Sequence, residues 1–210
     1  SDLDFGTGDF CVMGWVKTSA NADFIFQRGV APGFYVFIDS SGFIEFGTIP
    51  SADYLKGTTS VSNGQWRHFV CMRKSGTKSV FVDGAVESTS SYTQDLSNAA
   101  AVLTVGVNNS YASPLAGSLA LLRISATAPT AEQIAKIYND EKVLFQENAQ
   151  ATLYGASDAV TALAHDPDTD LLHVGTSAGR SVFNGLRRIN NTTTGVTTAI
   201  SANNGVIAEQ

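Results

Sequence analysis

Gly64-Gln-Trp-Arg-His-Phe-Val-Cys-Met-Arg-Lys-Ser-Gly-Thr-Lys-Ser-Val-Phe-Val-Asp-Gly84 decides the reading of this chain. Arg67 to Lys74 is a short run rich in aromatic and β-branched residues. Ser75-Gly76-Thr77 reverses the chain, and Ser79 to Val82 runs back into an Asp83-Gly84 turn. Apolar runs closed by glycine-bearing turns predict an antiparallel strand pair, which points to a binding module more than to an enzyme.

Similar runs lie on either side: Asp9 to Lys17, Asp23 to Arg28, Gly33 to Asp39, Phe43 to Phe46, Leu103 to Val107 and Ser118 to Ser125. This spacing predicts a two-sheet antiparallel sandwich. Phe34, Val36 and Ile38 alternate with Tyr35, Phe37 and Asp39, so apolar groups occupy both faces of that strand. Such a strand is expected centrally in a stacked sheet or beneath a loop. One helix is predicted, Thr130 to Lys142. Pro129 precedes it, Thr130 and Gln133 suit a capping box, and Ile134, Ile137 and Tyr138 share a face.

Composition agrees. The 210 residues are 43% hydrophobic and 15% charged, with 19 Gly and 5 Pro, which suits an all-β protein of one or two domains with a sizeable core. No apolar run reaches membrane-spanning length, so no membrane span is expected. The chain opens on Ser1-Asp2 without an initiator methionine or a basic leader, which reads as a processed or excised fragment. A formal charge of −6 excludes nucleic acid as a partner, since phosphate binding needs concentrated Lys and Arg. The densest basic spots, Arg73-Lys74 and Arg187-Arg188, read as solvated strand edges. Cys11 and Cys71 read as two small buried hydrophobes, with a disulfide as the alternative.

Taken in order, Trp15, Trp66 with His68, Phe81-Val-Asp83-Gly84, Val105-Gly106, Gly117 to Ile124 and Thr130 to Tyr138 resemble the successive motifs of the laminin-G-like, concanavalin A-like jelly-roll family. The resemblance covers about the first two-thirds of the chain and rests on the order of the motifs together. It implies an all-β, antiparallel two-sheet jelly-roll sandwich over residues 1–145, closed by one short helix. Trp15, Trp66, Phe69, Phe81 and Ile124 are expected to be largely buried there. Val143-Leu-Phe-Gln146 is similar to an engineered protease site but is followed by Glu147-Asn148, and reads as natural.

Residues 146–210 have another texture. Val160 to Ala164, an acidic turn Asp166 to Asp170, Leu171 to Thr176 and Ser181 to Phe183 predict a smaller β-hairpin-rich segment that resembles one β-propeller blade repeat. A single blade cannot close a propeller. Its strands are therefore expected to pack on the sandwich, to pair with another subunit, or to continue in a longer parent chain. The Thr- and Asn-rich stretch Asn190 to Gly205 reads as a strand-addition or fibre-forming element, or as a disordered linker.

Sandwich glucanases present paired carboxylates on one strand, as Glu-x-Asp-x-x-Glu or Glu-x-Asp-x-Glu. No such string occurs here: Glu45 stands between Ile44 and Phe46, Asp83 lies in a turn, and Glu87 follows it. No catalytic residue is assigned and the chain is not read as an enzyme. His68 reads as a buried strand residue. His165 and His173 flank the acidic turn, but two histidines without a third ligand make a poor metal site. Calcium is the one cofactor the resemblance brings, held by oxygen ligands at a loop rim. Asp23, Asp39 and Asp95 are the candidate ligands, with Asp53, Asn108 and Asn109 as further loop donors. The acidic pair that the family carries on its late strand is replaced here by Ala120 and Leu121, which weakens that inference.

A sugar needs aromatic faces for its ring and short polar groups for its hydroxyls. Tyr54, Tyr92, Asn108, Asn109 and Tyr111, all in predicted loops, are the candidate ligand-binding rim. The expected function is a non-catalytic surface recognition or structural module that binds a cell-surface glycan or a protein. Its setting would be a phage virion or tail fibre, or a bacterial extracellular surface, and its state a homo-oligomer or larger assembly. A filament subunit joined by strand addition is the alternative, and a polysaccharide-active enzyme of the same fold the second alternative.

Overall fold

The computed structural model describes residues 3–50, 53–145, 160–185 and 187–196, together with the backbone of 201–203 and 206–208. The chain divides into two compact units, Ser1–Lys142 and Val143–Gln210.

The first unit holds ten strands: β1 (Phe10–Thr18), β2 (Asp23–Arg28), β3 (Gly33–Ile38), β4 (Phe43–Ile49), β5 (Tyr54–Ser60), β6 (Arg67–Lys74), β7 (Thr77–Val82), β8 (Ala85–Ser91), β9 (Leu103–Val105) and β10 (Gly117–Ser125). They form two five-stranded antiparallel sheets. The first has the order β10-β1-β6-β7-β8 and the second the order β5-β4-β3-β2-β9. The hairpin read first in the sequence is β6–β7, with Phe69 opposite Val82 and Lys74 opposite Thr77. Ser75, Gly76, Asp83 and Gly84 take the positive φ angles that its two turns require.

β5 and β8 were not legible in the sequence, because each is a Ser- and Thr-rich strand at the outer end of its sheet with no apolar alternation. The Glu87 carboxylate joins these two ends, accepting the Thr58 and Thr59 amides at 2.6 and 3.1 Å.

Between the sheets lies a core of Phe10, Val12 and Val16 from β1, Phe69 and Cys71 from β6, Val80 and Val82 from β7, and Phe26, Phe34, Val36, Ile38, Ile44 and Phe46 from the second sheet. Phe10 stacks on Phe5 at 4.9 Å and meets Phe34 at 4.7 Å. Among the described residues three cations are buried within this unit. Arg28 donates to the Leu96 and Asn98 carbonyls and pairs with Asp4 at 3.3 Å. Arg73, expected on a solvated edge, donates to the Gly6, Gly8 and Gln94 carbonyls and lies over the Phe10 ring, 5.2 Å from its centre. Lys78 bonds the Asp53 carbonyl at 3.2 Å, pairs with its carboxylate at 3.1 Å and sits over the Tyr92 ring. A buried charge persists only when paired in this way.

Helix α1 (Ala131–Glu141) carries the expected capping box of Thr130 and Gln133, and a 3₁₀ turn (Lys142–Phe145) follows it. Ile134 and Ile137 cover Cys11, Met13, Val70, Met72 and Phe81, so the central strands β1, β6 and β7 of the first sheet are buried on both faces. The Trp15 indole stacks on Tyr138 and donates to the Glu141 carboxylate at 2.7 Å.

Two of the expected core residues differ. Trp66, which precedes β6, and Ile124, on the outer strand β10, are half-buried, and Ile124 packs against the core from there. Cys11 and Cys71 are both free and lie on opposite faces of the first sheet, since Val12, not Cys11, pairs with Cys71. Burial pushes the Cys11 thiol up to about 12, and that of Cys71 well above its ordinary value.

In the second unit β11 (Val160–Asp166), β12 (Leu171–Thr176), β13 (Gly179–Asn184) and β14 (Arg187–Thr192) form a four-stranded antiparallel meander. Val174, Val182 and Phe183 are buried in it. β15 (Ser201–Asn203) pairs with β16 (Val206–Ala208). Of the Thr- and Asn-rich stretch, 197–200 and 204–205 lie outside the described residues, as do Gln146 and the residues after it to 159.

Candidate functional site

Strand β3 explains where a site can form. Phe34, Val36 and Ile38 point into the core, while Tyr35 and Phe37 are half-buried on the opposite face of the second sheet. Among the described residues no helix covers that face. β3 is the middle strand of its five-stranded sheet, as expected of a strand with apolar groups on both faces, and its outer side presents a half-buried aromatic surface.

Cross-strand register fixes its layout. One row runs Thr104, Gln27, Tyr35, Gly47, Tyr54 across β9, β2, β3, β4 and β5; the next runs Phe24, Phe37, Glu45, Lys56. Phe24 lies 4.7 Å from Phe37 and 5.7 Å from Tyr35, ring centre to ring centre, and makes an aromatic cluster. The Tyr35 ring lies across Gly47, where a Cβ would fall 2.0 Å from its Cζ. That glycine is what lets the ring lie flat.

A charged network borders the rings. The Tyr35 hydroxyl donates to Glu45 Oε1 at 2.7 Å, and Lys56 Nζ sits 3.2 Å from Glu45 Oε2 and 2.8 Å from Asp39 Oδ2. The same ammonium lies 5.0 Å from the centre of the Tyr54 ring. Burial, and then the Glu45 carboxylate, push the Tyr35 phenol well above its ordinary value. Asp39 is held below the usual carboxylate range because Lys56 and the Phe43 and Ser41 amides outweigh its desolvation, the largest single influence, which acts the other way. Lys56 is raised by its bonds to Asp39 and Glu45. On the other side, the Gln27 side chain accepts from the Asn109 amide at 3.2 Å and donates to the Gly29 carbonyl.

The sequence-predicted rim is partly gathered here. Tyr54 is in strand β5, not in a loop, and is 53% exposed at the edge of this face. Asn109 reaches it through Gln27, and its Oδ1 is buried with no hydrogen-bond partner. Asn108 closes its own turn, accepting the Ser110 and Ala112 amides. Tyr111 is 79% exposed in that loop, at φ 57°. Tyr92 is a correction: it is only 5% exposed, because the buried Lys78 and Arg73 draw its ring inward.

The proposed calcium ligands do not converge. Asp23 accepts the Ala116 amide, Asp39 is tied to Lys56, and Asp95 caps the Ser97 turn. Among the described residues no group of three or more His, Cys, Asp or Glu side chains is placed to hold a metal. Sequence reasoning missed Phe24, Tyr35, Phe37 and Lys56 as site residues. The available signal was Tyr35-x-Phe37 on the face of β3 opposite Phe34 and Val36, together with Glu45 two positions before a strand glycine.

Residues 1–135 match the Laminin_G_3 family, described as the Concanavalin A-like lectin/glucanases superfamily. Among solved structures the chain is similar to the native heptameric SAP-like pentraxin of Limulus polyphemus, at 18% identity and TM-score 0.52 over 63% of this chain and 70% of that one. It is similar to domain 4 of AbnA, an extracellular GH43 arabinanase of Geobacillus stearothermophilus in complex with arabinotriose, at 21% identity and TM-score 0.52 over 65% and 69%. It is also similar to the CBM40 of the Ruminococcus gnavus IT-sialidase bound to α2,3-sialyllactose, at 12% identity and TM-score 0.56 over 64% and 84%. At these identities the likeness is one of fold. No curated protein matches the chain.

Proposed function

Since this chain belongs to the Concanavalin A-like lectin/glucanases superfamily, we propose that its jelly roll is a non-catalytic glycan-binding module whose binding surface is the open face of the second sheet. The carrying observation is the Phe24, Tyr35 and Phe37 cluster bordered by Glu45 and Lys56. A pyranose or furanose ring places its apolar C–H face on such rings, while its hydroxyls bond carboxylate, ammonium and amide groups at the border. Sugar-bound relatives of the same fold, the AbnA domain with arabinotriose and the CBM40 with sialyllactose, support the ligand class.

Hydrolysis is disfavoured by the same geometry. A glycosidase needs one carboxyl group kept protonated as the acid. Asp39 is held ionised, and both Glu45 oxygens are engaged by Tyr35 and Lys56. The test is an oligosaccharide array followed by calorimetry on the best binder, with Phe37→Ala and Lys56→Met expected to lose binding while remaining folded. Failure of every glycan, or full binding by both variants, would remove the proposal.

Assembly is a compatible second reading. Val160, Leu163 and Ile189 are exposed on the β11–β14 meander, with Leu163 67% exposed, and the meander ends in two edge strands. We place the protein on an extracellular or virion surface, where the 146–210 segment, blade-like in sequence, joins copies by strand pairing. Light scattering on the chain with and without residues 150–210 tests this: equal mass per particle after allowing for the truncation, both monomeric, would discard it.

A further inference from the structure

We propose that the open face of the second sheet selects uncharged sugars over acidic ones, with Asp39 and Glu45 setting the selection through Lys56. This rests on the glycan-binding reading of that face and names the class of sugar it takes. All 13 Lys and Arg residues of the chain lie among the described residues, and the strands of this sheet carry Arg28 on β2 and Lys56 on β5. Arg28 is 1% exposed and spent on the Leu96 and Asn98 carbonyls and on Asp4. Lys56 is therefore the cation that this sheet offers a ligand.

That cation is already taken. Its ammonium stands 2.8 Å from Asp39 Oδ2 and 3.2 Å from Glu45 Oε2. The two carboxylate side chains are only 8% and 11% exposed, whereas that of Lys56 is 38% exposed, so the ammonium is the outer member of the cluster. Two carboxylates against one ammonium leave the cluster net negative. Desolvation, the largest influence on Asp39, is outweighed by Lys56 and by the Phe43 and Ser41 amides, so that carboxyl stays ionised.

The cluster treats a hydroxyl and a carboxylate differently. An ammonium has three protons to donate, and with two directed at Asp39 and Glu45 the third remains for a sugar hydroxyl. A sugar carboxylate about 3 Å from Nζ would stand only about 5–6 Å from two like charges, whose combined repulsion offsets the attraction. It would still lose its hydration, a cost that only a full partner charge repays. The ring faces of Phe24, Tyr35 and Phe37 carry partial negative charge and add to the bias.

The full chain is titrated by calorimetry, at low and at high salt, with the best neutral glycan of the array and its acidic counterpart, and with two matched pairs, galactotriose against trigalacturonate and lactose against sialyllactose. The neutral member should bind at least about tenfold tighter at low salt, the scale of one unrepaid charge contact. Added salt should narrow the gap by screening the carboxylates. Asp39→Asn combined with Glu45→Gln keeps acceptors for the Ser41 and Phe43 amides and the Tyr35 hydroxyl while freeing Lys56, and should bring the acidic sugar level with its neutral partner or beyond it. Glu45→Gln alone should carry part of that change in the same direction, which decides the matter even if the double variant does not fold. An acidic sugar that binds the unmodified chain as tightly as its neutral partner and is lost in Phe37→Ala overturns the selection and leaves the sheet-face reading standing. An unchanged preference in the folded variants overturns it too. No binding by any glycan, or binding that survives Phe37→Ala, removes the sheet-face reading and the selection with it.

Discussion

Gly47→Ala separates the binding surface from the fold. An alanine Cβ at this position would lie 2.0 Å from Tyr35 Cζ, 2.2 Å from its hydroxyl oxygen and 2.5 Å from Cε1. All three atoms belong to the far end of a flexible side chain, so the ring swings away and the backbone of β4 stays paired with β3 and β5. The displaced hydroxyl loses Glu45, a bond to a charged group worth about 1.5–3 kcal/mol when fully buried and less at this half-buried site. Restricting the unfolded chain at a former glycine returns about 0.4–1 kcal/mol. The net cost is about 1 kcal/mol, which lowers Tm by roughly 2–4 °C in a chain of this size. Affinity suffers more, because truncating an aromatic anchor removes about 2 kcal/mol, or roughly thirtyfold in Kd. Calorimetric titration with the best array glycan and differential scanning calorimetry give both numbers. Unchanged affinity would show that the Tyr35 ring is not part of the surface, and loss of cooperative melting would show that Gly47 serves the backbone instead.

Trp15→Ala should cost about 3–5 kcal/mol in equilibrium unfolding, and Trp66→Ala no more than about 2, because only the first ring is enclosed; equal costs would contradict the placement of Trp66. His68 is wholly buried against Trp15, and its pKa is pushed down to about 4, chiefly by burial, with Glu141 acting in the opposite direction. The unfolded chain takes up that proton near pH 6.5, so stability is complete above that pH and falls by about 3 kcal/mol as pH drops to 4. His68→Phe should flatten this part of a urea-denaturation pH profile, and an unaltered profile would refute it. Glu45→Gln should leave polysaccharide hydrolysis at background in a reducing-sugar assay, as should the unmodified chain; release by the unmodified chain that the substitution abolishes would make Glu45 catalytic.

The fold was legible where apolar patterning is strong. β1, β2, β3, β4, β6, β7 and β10 each carry aromatic or β-branched runs between turn residues, and the Thr130–Gln133 capping box announced α1. It was not legible at β5 and β8, whose Ser and Thr side chains face solvent or the opposite edge and leave no period-two signal. The site was hidden for a different reason. Tyr35 and Phe37 look like core in one dimension, and among the described residues no helix covers the second sheet to bury them fully. Arg73 misled in the opposite sense, since its charge is satisfied by carbonyls from distant segments, as that of Lys78 is by Asp53. Tyr92 followed them inward.

The central claim is tested most directly by amide chemical-shift mapping with the tightest glycan from the array. Titration should perturb Phe24 and Gln27 of β2, Tyr35 and Phe37 of β3, Glu45 and Gly47 of β4 and Lys56 of β5, while Ile134 and Ile137 of α1 remain still. Perturbations confined to α1 or to the β11–β14 meander, with that sheet face silent, would contradict the account.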